Sequence, residues 1–266
     1  MIKAAVLGSP ISHSLSPKIH SKAYEILGLE NSYSAIEIDE ATFPDFFNKI
    51  QSLGEDSDWT GFSLTMPLKE IVLNYCKSAN EVTTAINSGN TLYKNNDSWF
   101  VTSTDYLAFQ NLISVSKDSK IAIIGGGGTA RAAIGSLNLK AKEVDVFLRS
   151  DKRMPDLIKA APNLNVNMLE MGSDLGKYDL IIQTTPSGVF DQYAPLLKKA
   201  NGVLLEALYK PWPTKLTQSY QDLGGEVISG KQLLVEQALY QIEIFSGIKF
   251  SFDEMRAQLL SHISED

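Results

Sequence analysis

A lysine and an aspartate, each placed shortly after a predicted strand, are the residues of this chain best suited to chemistry. Lys69 lies in the first turn of a helix that Pro67 opens, and Asp105 lies beside Thr104 at the start of a later helix. A lysine near a helix N-terminus opposes the helix dipole, so Lys69 does not stabilise its helix. Next to a carboxylate, it could pass a proton to or from a hydroxyl group that is being oxidised. The alternative is an exposed surface lysine and an aspartate that only stabilises its helix.

A run of four glycines forms the second candidate site. A near-continuous apolar strand at residues 120–124 leads directly into Gly125, and the run continues through Gly127 and Gly128 to a helix that begins at Thr129. Glycine lets the backbone turn tightly and approach a pyrophosphate, while the start of the helix offers N–H groups to the anion. The alternative is a tight turn without a ligand, but the strand before and the helix after favour a dinucleotide site.

The end of the next predicted strand indicates which dinucleotide binds. An NAD site needs an acidic residue there, about 20 residues after the glycines, to bind the ribose 2′-hydroxyl. The strand at residues 144–148 ends instead in Arg149, with Lys152 and Arg153 close behind, and Asp145 lies too early in the strand. A basic strand end suits the 2′-phosphate, so the sequence favours NADP. Arg149 could otherwise be a solvated loop arginine.

Four further polar residues stand where they could contact a ligand. Ser14 and Ser16 flank the start of the first predicted helix and could both point at a carboxylate, although Ser16 could simply cap the helix. Asn90, at the start of a predicted strand, suits hydrogen bonds to a polyol but is also a common turn residue. Gln237 lies among apolar residues in a predicted helix, so its amide needs a ligand or a backbone partner.

Short apolar runs alternate with helical patterns along the chain, which predicts an α/β fold with two domains. The first is an N-terminal α/β substrate-binding and catalytic domain at residues 1–104, to which the C-terminal helices return with residues 231–266. The second is a Rossmann dinucleotide-binding domain at residues 105–230, because its strands are unbroken apolar runs, as buried parallel strands are.

Composition excludes several classes of function. The 266 residues carry a formal net charge of −7, which argues against nucleic acid as a partner, since phosphate binding needs positive charge. The single cysteine, Cys76, permits no intrachain disulfide, and the three histidines lack the spacing of a metal site. No apolar run reaches the roughly 20 residues that span a bilayer. We therefore expect a cytoplasmic protein, a monomer or homodimer, that binds no metal and no membrane and acts on a small molecule.

Several segments of the chain, spread nearly from end to end, together resemble the shikimate dehydrogenase family. Residues 8–17 read Gly-Ser-Pro-Ile-Ser-His-Ser-Leu-Ser-Pro, which is similar to the family pattern Gly-x-Pro-Ile-x-His-Ser-x-Ser-Pro. Residues 64–70 resemble its Val-Thr-x-Pro-x-Lys-Glu stretch, and residues 125–131 resemble its Gly-Ala-Gly-Gly-Ala-x-Arg turn. Further matching segments lie at residues 90–92, 104–105, 184–188, 209–216 and 230–237.

The resemblance implies a role for each matching residue. Lys69 would be the catalytic lysine and Asp105 its partner. The two serines after the first strand would hold the substrate carboxylate, and Asn90 would bind a ring hydroxyl. The implied substrate-binding residues are Ser14, Ser16, Thr65, Asn90, Tyr209 and Gln237. The implied cofactor-binding residues are Gly125, Gly127, Gly128, Thr129, Arg149, Thr184 and Gly230.

The implied activity is the NADP-dependent, reversible reduction of 3-dehydroshikimate to shikimate, a step of chorismate and aromatic amino acid biosynthesis. Two alternatives stay open: a quinate/shikimate dehydrogenase that uses NAD, and a catalytically silent sensor that binds NADP. The chain also departs from the family pattern at positions around the pocket, which leaves the choice between shikimate and quinate open. These departures are Ser63, Ser103, Tyr106, Gln183 and Glu206.

Overall fold

The structure, a computed structural model, describes residues 1–264. It divides into two compact units. Unit 1 comprises residues 1–107 together with the chain from Leu234 onward, and unit 2 comprises Ala108–Leu233. The C-terminal helices therefore belong to the same unit as the N-terminal strand.

The boundaries of the two units lie inside helices. The sequence predicts boundaries at residues 104/105 and 230/231, where two helices begin, whereas the compact units change at 107/108 and 233/234. Asp105 consequently belongs to unit 1.

Strands and helices alternate along most of the chain. In chain order the strands are β1 (Ile2–Gly8), β2 (Asn31–Glu37), β3 (Gly61–Leu64), β4 (Thr91–Asn95), β5 (Ser98–Thr102), β6 (Ile121–Ile124), β7 (Glu143–Leu148), β8 (Asn165–Glu170), β9 (Leu180–Gln183), β10 (Val203–Glu206) and β11 (Glu226–Ile228). The helices are α1 (Ser16–Ile26), α2 (Phe43–Ser52), α3 (Leu68–Tyr75), α4 (Glu81–Ile86), α5 (Thr104–Leu112), α6 (Gly128–Leu137), α7 (Met154–Ala160), α8 (Lys215–Asp222), α9 (Gly230–Ser246) and α10 (Phe252–His262). None of the helices within residues 1–264 is both long enough and apolar enough to cross a bilayer.

Unit 1 is built on a mixed sheet with the strand order β2-β1-β3-β4-β5. β1 pairs in parallel with β2 and β3, while β4 pairs antiparallel with β3 and β5. The interior strand β1 is apolar except for Lys3, because both of its faces are covered. Ala4 and Val6 join a core with α1, α9 and α10, whereas Ala5 and Leu7 join a core with α2 and α3.

Unit 2 is built on a sheet in which every pair of neighbouring strands is parallel, with the order β11-β10-β9-β6-β7-β8. When its strands are numbered along the chain, this is the Rossmann order 3-2-1-4-5-6, whose direction of winding reverses between the first and fourth strands. In such sheets a ligand binds beyond the carboxyl ends of the strands at that reversal. The predicted α/β class with a Rossmann unit is thus confirmed.

The predicted elements are present with small shifts at their ends, but the sequence interpretation missed α4, α7, β8 and α8. The missed helices are short, and each buries only one or two apolar residues, which leaves a weak pattern in the sequence. Helix α8 is marked instead by its N-cap, where the Thr214 side chain accepts the N–H of Thr217. Strand β8 lies at the edge of its sheet and is only partly buried, so it lacks the unbroken apolar run of its neighbours.

A buried ion pair attaches α10 to α9. Glu236 on α9 has no exposed surface. Arg256 on α10 donates from Nε to Glu236 Oε2 at 2.6 Å and from Nη2 to Oε1 at 3.2 Å. Two parallel charge-assisted hydrogen bonds hold both groups in one geometry. The pair therefore orients the helix that carries Gln237.

Arg256→Ala should lower the free energy of unfolding by roughly 3–5 kcal/mol, because it takes a charged partner away from a buried carboxylate. Urea denaturation followed by circular dichroism measures this change. Asp253→Asn is the matched control, since it removes the charge of the 93% exposed partner of the same guanidinium and should change the free energy of unfolding little. Equal effects of the two substitutions would contradict this account of α10.

Candidate active site

The segments that carry the predicted catalytic residues meet at one edge of the unit 1 sheet. β1, β3 and β5 run in one direction and β4 runs against them, so their carboxyl ends lie at the same edge as the start of β4. The predicted serines follow β1, Lys69 follows β3, Asn90 precedes β4 and Asp105 follows β5. The directions of the strands therefore bring residues that are far apart in the sequence to the same edge of the sheet.

Lys69 and Asp105 form an ion pair at this edge. Lys69 Nζ lies 2.6 Å from Asp105 Oδ2, although 36 positions separate the two residues in the chain. The lysine side chain is 19% exposed and the aspartate side chain 8%. An ammonium group that is largely but not fully withdrawn from water can still reach a ligand, as a proton donor must. The structure thus brings the two predicted catalytic residues together.

Asn90 is the centre of a buried hydrogen-bond network, and the residue is only 2% exposed. Its Oδ1 accepts the backbone N–H of Thr104 at 2.6 Å and that of Asp105 at 3.3 Å. Its Nδ2 lies within 3.1 Å of three acceptors, Thr104 Oγ1, Asp105 Oδ1 and Gln237 Oε1. Because an amide nitrogen carries two hydrogens, these acceptors share them. Asn90 therefore holds one carboxylate oxygen of Asp105 while Lys69 takes the other.

Two glutamines on α9 contact Asn90. Gln237 accepts from Asn90 Nδ2 and donates from its own Nε2 to Leu234 O at 2.6 Å, so its amide has the partners that the sequence required. Gln241 donates to the Asn90 carbonyl oxygen at 3.0 Å and to Thr91 Oγ1 at 2.9 Å. The sequence interpretation missed Gln241. The available signal was its spacing of one helical turn from Gln237, which places both amides on one helix face.

The serines that follow β1 lie at the start of α1. This helix begins at Ser16, and Leu15 in the N-cap position makes no side-chain cap. The prediction that Ser16 caps the helix is therefore wrong, because an N-cap residue keeps non-helical dihedral angles and Ser16 is already helical. The Ser16 N–H donates instead to Ser14 Oγ at 3.3 Å.

Thr65, the residue after β3, packs against the end of β1. A Cβ on Gly8 would lie 2.3 Å from Thr65 Cγ2 and 2.8 Å from Met66 O, so only glycine permits this close approach. The Thr65 N–H donates to Leu7 O at 2.9 Å, and the Ser9 N–H donates to Met66 O at 3.0 Å. Backbone hydrogen bonds therefore join the loop that carries the serines to the loop that carries the lysine.

Behind Asn90 the network continues into the core through Gln241. Gln241 Oε1 accepts from Ser63 Oγ at 2.7 Å and lies 3.2 Å from His20 Nε2. Ser63 in turn accepts from the Tyr33 hydroxyl at 2.6 Å, and the Tyr33 ring stacks on the His20 ring with 4.1 Å between their centroids. The sequence interpretation gave none of these residues a place in the site beyond noting Ser63 as a departure.

His20 is neutral in this network. The residue has no exposed surface, and burial lowers the pKa of its imidazole to about 3, against the opposing effect of the hydrogen bond to Gln241. Its Nε2 faces the amide oxygen of Gln241, and its Nδ1 lies 3.2 Å from the Tyr24 hydroxyl. These partners assign the proton to Nε2 and the acceptor role to Nδ1.

The lowered pKa of His20 predicts a loss of stability in acid. Between pH 6.5, the ordinary histidine pKa, and about 3, the unfolded chain binds a proton at His20 that the folded chain does not. Stability from this group is therefore complete above pH 6.5 and falls by about 1.4 kcal/mol for each pH unit below it. Urea denaturation at a series of pH values should show a shallower decline for His20→Gln than for the wild type. Parallel curves would contradict the prediction.

In unit 2 the glycine run connects β6 to α6. Gly125 has a φ of +113°, which favours glycine, and a Cβ on it would lie 2.5 Å from Thr184 Oγ1. A Cβ on Gly127 would meet nothing within 4 Å, so the space next to the Gly127 backbone is open. Helix α6 begins at Gly128 without a side-chain cap, and Thr129 lies in its first turn. The first N–H groups of such a helix can face an anion.

Two further predicted cofactor residues lie beyond the carboxyl ends of parallel strands in the same sheet. Arg149 follows β7 directly and is exposed to solvent. Thr184 follows β9, and its hydroxyl donates to Ile124 O, at the end of β6, at 2.8 Å. Thr184 thus links the two strands between which the winding of the sheet reverses.

The remaining predicted residues of unit 2 are Tyr209 and Gly230. Tyr209 is partly buried and follows β10, so it is the one predicted substrate residue that lies outside unit 1. Gly230 opens α9 and approaches the backbone of Leu208 and Tyr209 closely. The start of α9 is thereby attached to the segment that carries Tyr209.

The departures from the family pattern take part in hydrogen bonding within their own units. Ser103 Oγ accepts the N–H of Tyr106 at 3.3 Å, in the first turn of α5. Gln183 Oε1 accepts both the N–H and the hydroxyl of Thr185. Glu206 has no exposed surface, and burial raises the pKa of its carboxyl to about 7. These substitutions therefore act on the internal structure of each unit.

Neither a metal site nor a reactive thiol is present in the part of the chain that the structure describes. Within residues 1–264, no group of three or more His, Cys, Asp or Glu side chains could hold a metal ion. Cys76 is buried, and its Sγ donates to Trp99 O at 3.2 Å. Burial also raises the pKa of the Cys76 thiol, so it packs as a core residue.

These features define an α/β protein with a Rossmann unit and a largely buried lysine–aspartate pair. The sequence profile of the shikimate dehydrogenase substrate binding domain matches residues 6–92. A shikimate dehydrogenase (NADP(+)) from Exiguobacterium sp. is 30% identical over 250 residues, which cover 92% of this chain and 93% of that protein.

Two solved structures are similar over almost the whole chain. The shikimate dehydrogenase of Mycobacterium tuberculosis is 31% identical with a TM-score of 0.86, covering 98% of this chain and 100% of that one. The shikimate 5-dehydrogenase of Mycobacterium fortuitum is 32% identical with a TM-score of 0.80, covering 96% and 97%. This chain belongs to the shikimate dehydrogenase family, and the resemblance inferred from its sequence is confirmed.

Proposed function

We propose that this protein is an NADP-dependent dehydrogenase that catalyses the reversible reduction of 3-dehydroshikimate to shikimate. The observation that carries the proposal is the ion pair between Lys69 and Asp105, 2.6 Å apart at the edge of the unit 1 sheet. Such a pair can exchange a proton with an oxygen atom while a hydride moves to or from the carbon that bears it. The relative from Exiguobacterium sp. is named shikimate dehydrogenase (NADP(+)), which supports shikimate as the substrate and NADP as the cofactor.

In the reducing direction Lys69 acts as the general acid. NADPH, when bound, supplies the hydride that adds to the C3 carbonyl carbon of 3-dehydroshikimate. The Lys69 ammonium gives a proton to the carbonyl oxygen, which becomes the C3 hydroxyl of shikimate, and Lys69 is left as a neutral amine. In the oxidising direction the amine takes that proton back. Asp105 keeps Nζ in position through its Oδ2.

The residues around the ion pair would bind the substrate. The Asn90 and Gln237 amides lie next to the aspartate of the pair and suit the ring hydroxyls. The hydroxyls of the serines that follow β1 suit the substrate carboxylate, since a hydroxyl donates a strong hydrogen bond to a charged oxygen. We assign substrate binding to Ser14, Ser16, Thr65, Asn90, Tyr209 and Gln237.

The residues that fit NADP lie in unit 2. The positive φ of Gly125 and the open space at Gly127 suit close approach of a pyrophosphate. The exposed guanidinium of Arg149 suits the 2′-phosphate, because Arg pairs with phosphate through two parallel hydrogen bonds. We assign cofactor binding to Gly125, Gly127, Gly128, Thr129, Arg149, Thr184 and Gly230.

The two units would have different functions. Unit 1 would be the substrate-binding and catalytic domain, and unit 2 the NADP-binding domain. We place the protein in the cytoplasm, since its one cysteine is a buried free thiol that needs no oxidising compartment.

Lys69→Ala should lower kcat by about 10²–10⁴-fold while the KM for shikimate changes little, because it removes the proton donor and leaves the substrate-binding amides in place. Steady-state kinetics with shikimate and NADP measures both constants. Lys3→Ala is the matched control, since Lys3 also pairs with an aspartate, Asp58, at 2.7 Å in unit 1. Near-normal turnover of Lys69→Ala would refute the role of the lysine.

Arg149→Ala should raise the KM for NADP by about 10-fold or more and leave the KM for NAD nearly unchanged. The reason is that charge-assisted hydrogen bonds are worth roughly 1.5–3 kcal/mol, and NAD has no 2′-phosphate to receive them. Lys159→Ala, at an exposed position of α7, is the control for a general loss of positive charge. Equal changes for the two cofactors would remove Arg149 from the cofactor site.

The substrate itself is tested by following nicotinamide absorbance with shikimate or quinate, each offered with NADP or NAD. We expect the combination of shikimate and NADP to give the highest kcat/KM. Higher activity with quinate and NAD would replace the proposed function with a quinate/shikimate dehydrogenase. Tight NADP binding without oxidation of either acid would indicate a sensor.

A further inference from the structure

We propose that Gln241 is a positioning residue for this reaction: it holds Asn90 from the side of the core and, through Asn90, sets the carboxylate of Asp105. The inference rests on the proposed function, because that reaction is what uses the pair of Asp105 with Lys69. Gln241 has no exposed surface, so it acts on the reaction through other residues.

All four hydrogen-bonding positions of the Gln241 amide are occupied. Nε2 donates one hydrogen to Asn90 O at 3.0 Å and the other to Thr91 Oγ1 at 2.9 Å. Oε1 accepts from Ser63 Oγ at 2.7 Å and from His20 Nε2 at 3.2 Å. If the amide were turned over, its oxygen would face the Asn90 carbonyl oxygen, which can only accept a hydrogen bond. The surrounding partners therefore permit one orientation of this side chain.

Gln241 binds the backbone carbonyl oxygen of Asn90, and the backbone determines where the Asn90 side chain lies. The Asn90 carbonyl also accepts the backbone N–H of Leu64 at 2.8 Å, so β3 and α9 hold it from two directions. The Asn90 side chain then binds the Thr104 N–H and Asp105 Oδ1. A shift of Asn90 would therefore reach the carboxylate whose other oxygen holds Lys69.

Packing alone does not call for an amide at position 241. The neighbouring residues Ala238, Leu239, Ile242 and Phe245 on α9 are part of the apolar core. A leucine of similar size would add apolar contact area there, at about 25 cal/mol per Å² of buried surface. A buried polar network is favourable only when each member is satisfied, and it then rigidly specifies one geometry. The contribution of Gln241 is therefore to geometry.

Gln241→Leu removes the hydrogen bonds to Asn90 and to Thr91 and keeps the approximate volume of the side chain. We expect the KM for shikimate to rise by about 10-fold or more and kcat to fall, since a misplacement of about 1 Å can cost roughly 100-fold in rate. The KM for NADP should stay unchanged. A role in stability alone would lower the free energy of unfolding and the amount of folded enzyme but leave both KM values as they are.

Two further variants separate a positioning role from a general effect on the network. Ser63→Ala removes one of the two hydrogen bonds to Gln241 Oε1 and keeps the bond to Asn90, so its rise in KM for shikimate should be smaller. The KM for shikimate of the double variant should equal that of Gln241→Leu alone, because the Ser63 hydroxyl is linked to Asn90 through the Gln241 amide. Tyr24→Phe is the control: it removes the hydroxyl next to His20 Nδ1 and should affect stability without changing the KM for shikimate.

The proposal is overturned by a folded Gln241→Leu variant with the wild-type kcat and KM for shikimate, by effects that multiply in the double variant, or by an equal effect of Tyr24→Phe. If Gln241→Leu does not fold, Ser63→Ala decides, and an unchanged KM for shikimate overturns the proposal. Wild-type protein that does not reduce NADP with shikimate overturns the proposed function itself. The same assay therefore distinguishes the two failures.

Discussion

The buried side chain of Asn90 is the constraint on which the candidate active site depends. The sheet edge of unit 1 collects loops from distant parts of the chain, but it does not set the distances between their side chains. Asn90 does so, because it binds the start of α5, one oxygen of Asp105 and the amide of Gln237 at once. Lys69 then meets the other oxygen of Asp105. The neighbouring elements β3, α5 and α9 support this amide through hydrogen bonds to Asn90.

The cost of burying polar groups explains why that support is complete. A buried polar group without a partner costs about 1–3 kcal/mol, so a partly satisfied network would destabilise the fold. Among residues 1–264, the buried side-chain oxygens without a partner belong to Ser57, Thr83 and Ser88, none of which lies in the Asn90 network. His20 stays uncharged near neutral pH because burial lowers its pKa to about 3. His20 therefore keeps the same hydrogen-bonding role near neutral pH.

In unit 2 the candidate cofactor site is defined by backbone geometry at the glycine turn, and this difference decides what the sequence could predict. A glycine turn between a buried strand and a helix is a local pattern, so Gly125 to Gly128 could be placed before the fold was known. The apolar runs of β6, β9 and β10 were equally visible, because strands covered on both faces lack polar residues. The short helices α4, α7 and α8 and the edge strand β8 were not, since they bury little apolar surface.

The sequence by itself determined the α/β alternation, the dinucleotide turn and the placement of Lys69 and Asp105 behind strand ends, because each of these depends on neighbouring residues. Only the tertiary structure decided which polar side chains share one network. Gln241 from α9, Ser63 from β3 and His20 from α1 meet because strand order and helix packing bring those elements together. Hydrogen bonds between elements so far apart in the chain leave no local pattern, since each partner satisfies a need that arises only after burial.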